Sequence, residues 1–138
     1  RVKADVYMPC ATQNEIGLED AKRMIEEGTS KLLIEVANMP TKAEAVEELQ
    51  KAGFMIAPSK AVNAGGVAVS ALEMSQNAMK LSWTEEEVDE KLKKIMKNIF
   101  NNIDSAAKKY GMDGNLIAGA NIAGFLKVAE AMLNEGIF

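Results

Sequence analysis

The sequence contains no histidine and only one cysteine, Cys10. A disulfide framework needs paired cysteines, and structural or catalytic zinc sites are built mainly from histidine and cysteine, so neither is expected here. Cys10 has no histidine to activate it, and we interpret it as a small buried residue rather than a nucleophile. The composition therefore predicts no metal site and fits a reducing, cytoplasmic setting.

Long runs of charge and long apolar runs are also missing. Acidic residues outnumber basic ones 20 to 16 without a long run of either sign, which argues against a nucleic-acid partner. We find no apolar stretch approaching the roughly 20 residues that span a bilayer, so no membrane partner is expected either. The chain begins without methionine, directly in a strand-like run, which suggests that it was cut from a longer protein.

The first half of the chain alternates short apolar runs with helical patterns. Helices are predicted over 18–27, ended by Gly28, and from Thr41, which with Glu44 forms a capping-box pattern, to Ala52. The apolar runs, which predict strands, are 6–8, 31–36 and 54–56. Alternation with short connections implies a parallel sheet with right-handed crossovers. We therefore predict an α/β fold with about three parallel strands.

The second half of the chain is predicted to be helical. One helix runs from about residue 64 to 81, and a long one begins at Thr84, with Glu87 as its capping-box partner, and ends before Gly111. A last helix covers about 115–134. It contains Gly119 and Gly124, which weaken a helix and therefore suggest close packing against a neighbour.

Polar residues follow the predicted strands at the edge of the sheet where ligands of open α/β folds bind. Thr12, Gln13 and Asn14 come after the first strand, and Asn38 comes after the second. Amide side chains donate and accept at once, as recognition of a carboxamide or a ribose hydroxyl requires. The alternative for any one of these residues is local capping of its own loop.

A polar and glycine-rich segment follows the third predicted strand. Asn63 precedes Ala64-Gly65-Gly66, whose N–H groups could face a polar ligand, although an asparagine cap with turn glycines explains the same pattern. Ser70 lies two helical turns beyond Asn63, with Val67 on the same face; a serine in apolar surroundings usually bonds back to its own helix. No glycine-rich phosphate-binding loop occurs, so the chain is either no nucleotide binder or lacks that half.

Several motifs in a fixed order nevertheless resemble one known family. They are Pro9-Cys10-Ala11-Thr12-Gln13-Asn14-Glu15, Ala37-Asn38-Met39-Pro40, Asn63-Ala64-Gly65-Gly66-Val67 with Ser70, Glu73-Met74-Ser75-Gln76-Asn77, Leu81-Ser82-Trp83-Thr84 and Gly119-Ala120-Asn121-Ile122-Ala123-Gly124-Phe125. Together they are similar to the C-terminal third of hexameric bacterial glutamate dehydrogenases. The resemblance implies that 1–61 is the second half of a Rossmann-like dinucleotide-binding domain, and that helices in 62–138 reach towards a substrate domain.

The resemblance also implies a reaction and a role for particular residues. The family oxidises glutamate to 2-oxoglutarate and ammonia with NAD or NADP. Asn38 and Asn63 would contact the nicotinamide-ribose end of the cofactor, and Ala11, Thr12 and Gln13 would lie beside it. In the substrate pocket, Ser70 would bond the side-chain carboxylate and Val67 would pack on the carbon chain.

The resemblance has limits in coverage and in sequence. The family's catalytic lysine and aspartate belong to the preceding domain, so no catalytic residue is expected in this chain, and a homo-hexamer is expected only of the complete enzyme. Val36 and Ser59 stand where the family pattern has glycine. The alternative function is a free-standing half-Rossmann binding or interaction module without catalysis, while Ser70 argues against a dehydrogenase for another amino acid.

Overall fold

The computed structural model describes residues 3–28 and 30–136. Its elements, in chain order, are α1 (Leu18–Glu27), β1 (Leu32–Ile34), α2 (Ala43–Lys51), β2 (Met55–Ala57), α3 (Ser59–Val62), α4 (Ala64–Met79), α5 (Glu85–Lys109) and α6 (Leu116–Glu135). The order confirms an α/β first half and a helical second half. The helix predicted at about 64–81 is present as α4, and the short α3 before it was not predicted.

The sheet of the described residues has two strands rather than the three that the sequence predicts. β1 and β2 pair in parallel, with Leu33 opposite Ile56. The run at 6–8 contributes only a parallel bridge from Tyr7, whose N–H donates to the Leu32 carbonyl at 3.0 Å and whose carbonyl accepts from Ile34 at 2.9 Å. The next N–H of that ladder would come from Pro9, which has none, so only the Pro9 carbonyl still pairs, accepting from the Val36 N–H at 3.2 Å and the Ala37 N–H at 3.0 Å.

The two faces of the small sheet are covered differently. Leu33 and Ile56 point to one face, where they form a buried core with residues of α1 and α2 such as Ala21 and Leu49. Alternate strand residues point to the opposite face. That face borders an apolar cavity of about 320 Å³, which residues of β1, β2, α3, α5 and α6 line.

The packing of α6 on α5 forms the second core. Ile103, Leu116 and Ala120 are buried there together with Ala61 of α3. Gly119 lies so close to α5 that an added Cβ would be 2.1 Å from the Ile103 carbonyl oxygen. The close packing predicted for Gly119 is thus confirmed. Gly124 has no atom within 4 Å of such a Cβ, so the same prediction is not met there by the described residues.

The two predicted capping boxes have opposite outcomes. At the start of α5, Thr84 Oγ1 accepts from the Glu87 N–H at 3.3 Å, and Glu87 Oε2 accepts from the Thr84 N–H at 2.7 Å, as predicted. The prediction for Thr41 was wrong, because α2 begins one residue later and has Lys42 as its cap. Thr41 instead forms a parallel bridge with Ile16, and its hydroxyl is buried without a partner among the described residues.

These two threonines give a matched test of stability. Thr84→Val should lower the free energy of unfolding by about 1 kcal/mol, because it removes a helix cap without changing the side-chain shape. Thr41→Val should leave it unchanged or raise it, because the lost hydroxyl makes no hydrogen bond where it is buried. Urea denaturation followed by circular dichroism measures both. An equal loss in the two variants would contradict the assignment of the caps.

Helix α6 corrects another expectation, that no apolar stretch is long enough to cross a bilayer. Within the described residues it is one helix whose length and composition would suffice. Core helices of ordinary globular proteins pass the same test, so this finding is weak evidence for a membrane. The distribution of its side chains is more informative. Leu116 and Ala120 are buried on α5, whereas Phe125, Val128 and Leu133 are exposed.

Candidate functional site

The site forms where the segments that follow β1 and β2 meet. Asn38 comes four residues after β1, and Asn63 lies at the end of α3, which follows β2. The side-chain amide of Asn63 donates to Asn38 Oδ1 at 2.5 Å. The two asparagines that were predicted to contact one end of the cofactor are therefore neighbours in space, although they are 25 residues apart in the chain.

Asn63 does not act as the simple helix cap that was its alternative interpretation. It is the single residue between α3 and α4, the C-cap of the first and the N-cap of the second, and its side chain makes no capping hydrogen bond to α4. That side chain reaches Asn38 instead. The glycines that follow leave room at the start of α4, where a Cβ added at Gly65 would lie at ordinary contact distance from Leu92 and Met96 of α5.

The loop after Pro9 lies beside the Asn38 loop. The Asn14 N–H donates to the Met39 carbonyl at 3.0 Å, and the Ile16 N–H donates to the Pro40 carbonyl at 2.9 Å. These bonds hold the exposed residues Ala11, Thr12 and Gln13 at the same edge of the sheet. Thr12 also bonds within its loop through its N–H, which donates to Glu15 Oε2 at 3.2 Å.

Cys10 is exposed, so the interpretation of it as a buried residue was wrong. Its thiol donates to the Met8 carbonyl at 3.2 Å within the same turn of chain. The reason is its position. Because the pairing with β1 stops at Pro9, Cys10 is already the first residue of the exposed loop rather than the last of a strand.

Ser70 and Val67 lie on an uncovered part of α4. Both are exposed, and Val67 retains 70% of its possible accessible surface. The Ser70 hydroxyl has no hydrogen bond to any described residue, whereas Ser75 on the same helix bonds back to the Ala71 carbonyl at 2.8 Å. The back-bonded alternative for Ser70 is therefore not what the structure has, and its hydroxyl is available to a ligand.

Two residues near the asparagines were not among the predicted contact residues. Glu35, directly after β1, is only 6% exposed, and its Oε2 accepts from the Ser59 N–H at 3.0 Å. Ser59 Oγ accepts in turn from the Met39 N–H at 3.4 Å. The sequence signal for Glu35 is its position directly after the apolar run Leu32-Leu33-Ile34, which could bury it. A buried acid is rarely found without a partner.

Val36 and Ser59, which were expected to replace glycines of the family pattern, do not strain this region. Among the described residues other than glycine, a positive φ occurs only at Asn14, Met39 and Lys80. Val36 and Ser59 thus adopt conformations open to any residue, and the left-handed position of the Asn38 loop is Met39, with φ 46°. Ser59 moreover supplies a hydroxyl that glycine could not.

The charged side chains of the described residues form exposed pairs and no cluster of metal ligands. Within residues 3–28 and 30–136, no group of three histidine, cysteine, aspartate or glutamate side chains comes together. Exposed pairs lie on the helices, such as Lys22 with Glu19 and Lys51 with Glu48, both at 2.8 Å. The hydrogen bond from each lysine lowers the pKa of its partner carboxyl. The site itself consists of amides, hydroxyls and apolar surface, with the buried carboxylate of Glu35 beside them.

Comparison with known proteins shows which family the chain belongs to. The model of the Glutamate/Leucine/Phenylalanine/Valine dehydrogenase family matches residues 1–136. The chain belongs to this family.

Individual relatives are similar along nearly the whole chain. The NAD-specific glutamate dehydrogenase of Clostridium symbiosum is 55% identical over 136 residues, which are 98% of this chain and 30% of the relative. The NADP-specific glutamate dehydrogenase of Giardia intestinalis is 55% identical over 132 residues, 96% of this chain and 29% of the relative. A solved glutamate dehydrogenase has a TM-score of 0.93 at 54% identity, with 99% of this chain and 30% of that chain covered. The chain thus spans about 30% of the length of the relatives it matches.

Proposed function

We propose that this chain is part of a glutamate dehydrogenase, which oxidises L-glutamate to 2-oxoglutarate and ammonia with NAD or NADP. The observation that carries the proposal is the edge at which Asn38 and Asn63 meet, with the uncovered Ser70 and Val67 two turns further along the helix that Asn63 begins. The names of the relatives support both cofactors, because one is NAD-specific and the other NADP-specific.

Each residue has a task that follows from its chemistry. The amides of Asn38 and Asn63 bind the nicotinamide-ribose end of the cofactor, with Ala11, Thr12 and Gln13 beside it, because amides satisfy donors and acceptors together. The nicotinamide supplies the hydride acceptor when it is bound. The Ser70 hydroxyl donates to the substrate side-chain carboxylate, and Val67 covers the carbon chain. These residues bind and orient the cofactor and the substrate. Proton transfer requires groups outside this chain.

The remaining structural assignments belong to the same proposal. Residues 1–61, with the pair β1 and β2 and the Tyr7 bridge, form part of a Rossmann-like cofactor domain, and the helices in 62–138 pack on it and reach towards a substrate domain. The complete enzyme is a cytoplasmic homo-hexamer. The exposed apolar side chains of α4 and α6, such as Val67 and Phe125, support contacts with further parts of the enzyme.

The proposal predicts a difference between the complete enzyme and the chain alone. The complete enzyme should reduce NAD or NADP in a glutamate-dependent reaction, whereas the purified 138-residue chain should show no such activity, since the catalytic lysine and aspartate of the family are expected in the preceding domain. Absorbance of the reduced nicotinamide measures both. Turnover by the homogeneous 138-residue chain would contradict the assignment of proton transfer to groups outside this chain. A complete protein that binds cofactor but oxidises no glutamate would favour a binding module instead.

A further inference from the structure

A ring of hydrogen bonds connects Asn38 and Asn63, the two asparagines that are proposed to bind the cofactor. The ring passes through residues that are not proposed to contact the cofactor. Asn63 Nδ2 donates to Asn38 Oδ1, and the next residue, Met39, donates its N–H to Ser59 Oγ. The ring closes through α3, where the Asn63 N–H donates to the Ser59 carbonyl at 2.9 Å. Ser59 therefore touches both sides of the ring, one through its side chain and the other through its backbone.

The buried carboxylate of Glu35 fixes the position of Ser59. Its Oε2 accepts from the Ser59 N–H at 3.0 Å, and it is 6% exposed. A hydrogen bond to a charged acceptor is stronger than one between neutral groups, and burial shields it from competing water. Glu35 also pairs its own N–H with the Ala57 carbonyl at 3.1 Å, so that Ser59 is tied to the end of the sheet.

Met39 shows why the Asn38 loop needs such support. Its φ of 46° lies in the left-handed region, which a methionine populates sparsely and which the surrounding structure must hold. The Met39 N–H donates to Ser59 Oγ, and the Met39 carbonyl accepts from Asn14. Without the bond to Ser59, the Met39 backbone loses one of the two hydrogen bonds described for it.

We propose that Ser59 is a positioning residue for the cofactor: its hydroxyl holds the Met39 backbone so that the amides of Asn38 and Asn63 keep the orientation in which they meet the nicotinamide-ribose end. The inference rests on the proposed function for the identity of the ligand. Ser59 acts through Asn38 and does not itself touch the cofactor. Its contribution is therefore to affinity for NAD or NADP and not to recognition of glutamate.

The test is a double-mutant cycle in the complete enzyme with Ser59→Ala, Asn38→Ala and the double variant. Direct binding of NADH and of NADPH is followed by the fluorescence of the reduced nicotinamide, so that the measurement does not depend on turnover. Ser59→Ala should raise the dissociation constant by about twofold to tenfold, the range for loss of one neutral hydrogen bond. The KM for glutamate at saturating cofactor should stay the same. Ser75→Ala is the matched control, because its hydroxyl bonds only within α4.

The double variant decides between an indirect and a direct role. If Ser59 acts through Asn38, adding Ser59→Ala to Asn38→Ala should change cofactor affinity little, because the effects of coupled residues are not additive. Full additivity would overturn the inference, as would an unchanged dissociation constant in Ser59→Ala or in Asn38→Ala. An enzyme that binds NADH or NADPH as described but oxidises no glutamate would remove the proposed reaction and leave the role of Ser59 standing.

Discussion

Replacing Ser70 by alanine in the complete enzyme should lower kcat/KM for glutamate by about tenfold to hundredfold, while binding of the cofactor stays nearly the same. The reason is that a hydroxyl donating to a carboxylate makes a charge-assisted hydrogen bond, whose loss costs roughly 1.5 to 3 kcal/mol. The hydroxyl of Ser70 has no partner among the described residues, so the substitution removes no bond within this part of the protein. Steady-state kinetics with glutamate and with 2-oxoglutarate measures the effect.

Norvaline and Ser75 provide the controls for that result. Norvaline has no side-chain carboxylate, so Ser70→Ala should change its kinetics much less than those of glutamate. Ser75→Ala removes a hydroxyl from the same helix that is already bonded to the Ala71 carbonyl, and it should change neither substrate. Equal kinetics of the wild type and Ser70→Ala on glutamate would remove Ser70 from the pocket, although the membership of the family would stand.

Gly119→Ala should lower the free energy of unfolding by about 3 kcal/mol, at the upper end of the usual cost of overpacking. The new Cβ would be 2.1 Å from the Ile103 carbonyl oxygen and 3.1 Å from the Ala107 Cβ. Both contacts come from the backbone or the first side-chain atom of α5, which cannot move aside as the end of a long side chain can. The two helices must separate instead, and they would open the core around Ile103 and Leu116.

Gly124→Ala in the same helix is the matched control. No described atom lies within 4 Å of its added Cβ, and alanine is favoured over glycine in a helix by about 1 kcal/mol, so this variant of the chain should be as stable as the wild type or more stable. Chemical denaturation of the 138-residue chain compares the two. Equal stability of Gly119→Ala and Gly124→Ala would show that α5 and α6 do not pack as closely as described.

The sequence predicted best the features that depend on neighbours in the chain. The helix at 18–27 has the predicted bounds, and the Thr84 capping box is present because all of its atoms lie within one turn. Thr41 shows the same pattern and fails, since Ile16, far away in sequence, pairs with its backbone. The strand predicted at 6–8 is reduced to one bridge, because the ladder position at which the next N–H is needed falls on Pro9. The sequence does not show this register.

The candidate site was predictable where topology alone determined it. Parallel strands bring their carboxyl ends to one edge, and this rule suffices to place Asn38 near the segment that contains Asn63. The bond from Met39 to Ser59, and that from Ser59 to the buried Glu35, depend on loop conformations that no periodicity encodes. The position of Glu35 directly after an apolar run hinted at its burial, but a serine beside a loop is normally solvated, so the sequence does not show that Ser59 is the partner of Glu35 and Met39.

The position of Asn63 between two helices has a consequence for the energetics of binding. Because Asn63 ends α3 and begins α4, the proposed cofactor contact and the proposed glutamate contact at Ser70 lie on one continuous backbone segment. If the cofactor orders α4 when it binds, glutamate then binds to a helix that is already ordered, and its affinity rises. Thermodynamic linkage requires that glutamate raise the affinity for the cofactor by the same factor. A substitution that tilts α4 as a whole must therefore shift both dissociation constants, whereas Ser59→Ala and Ser70→Ala each remove one hydroxyl, leave the helix in place and are expected to change one affinity only.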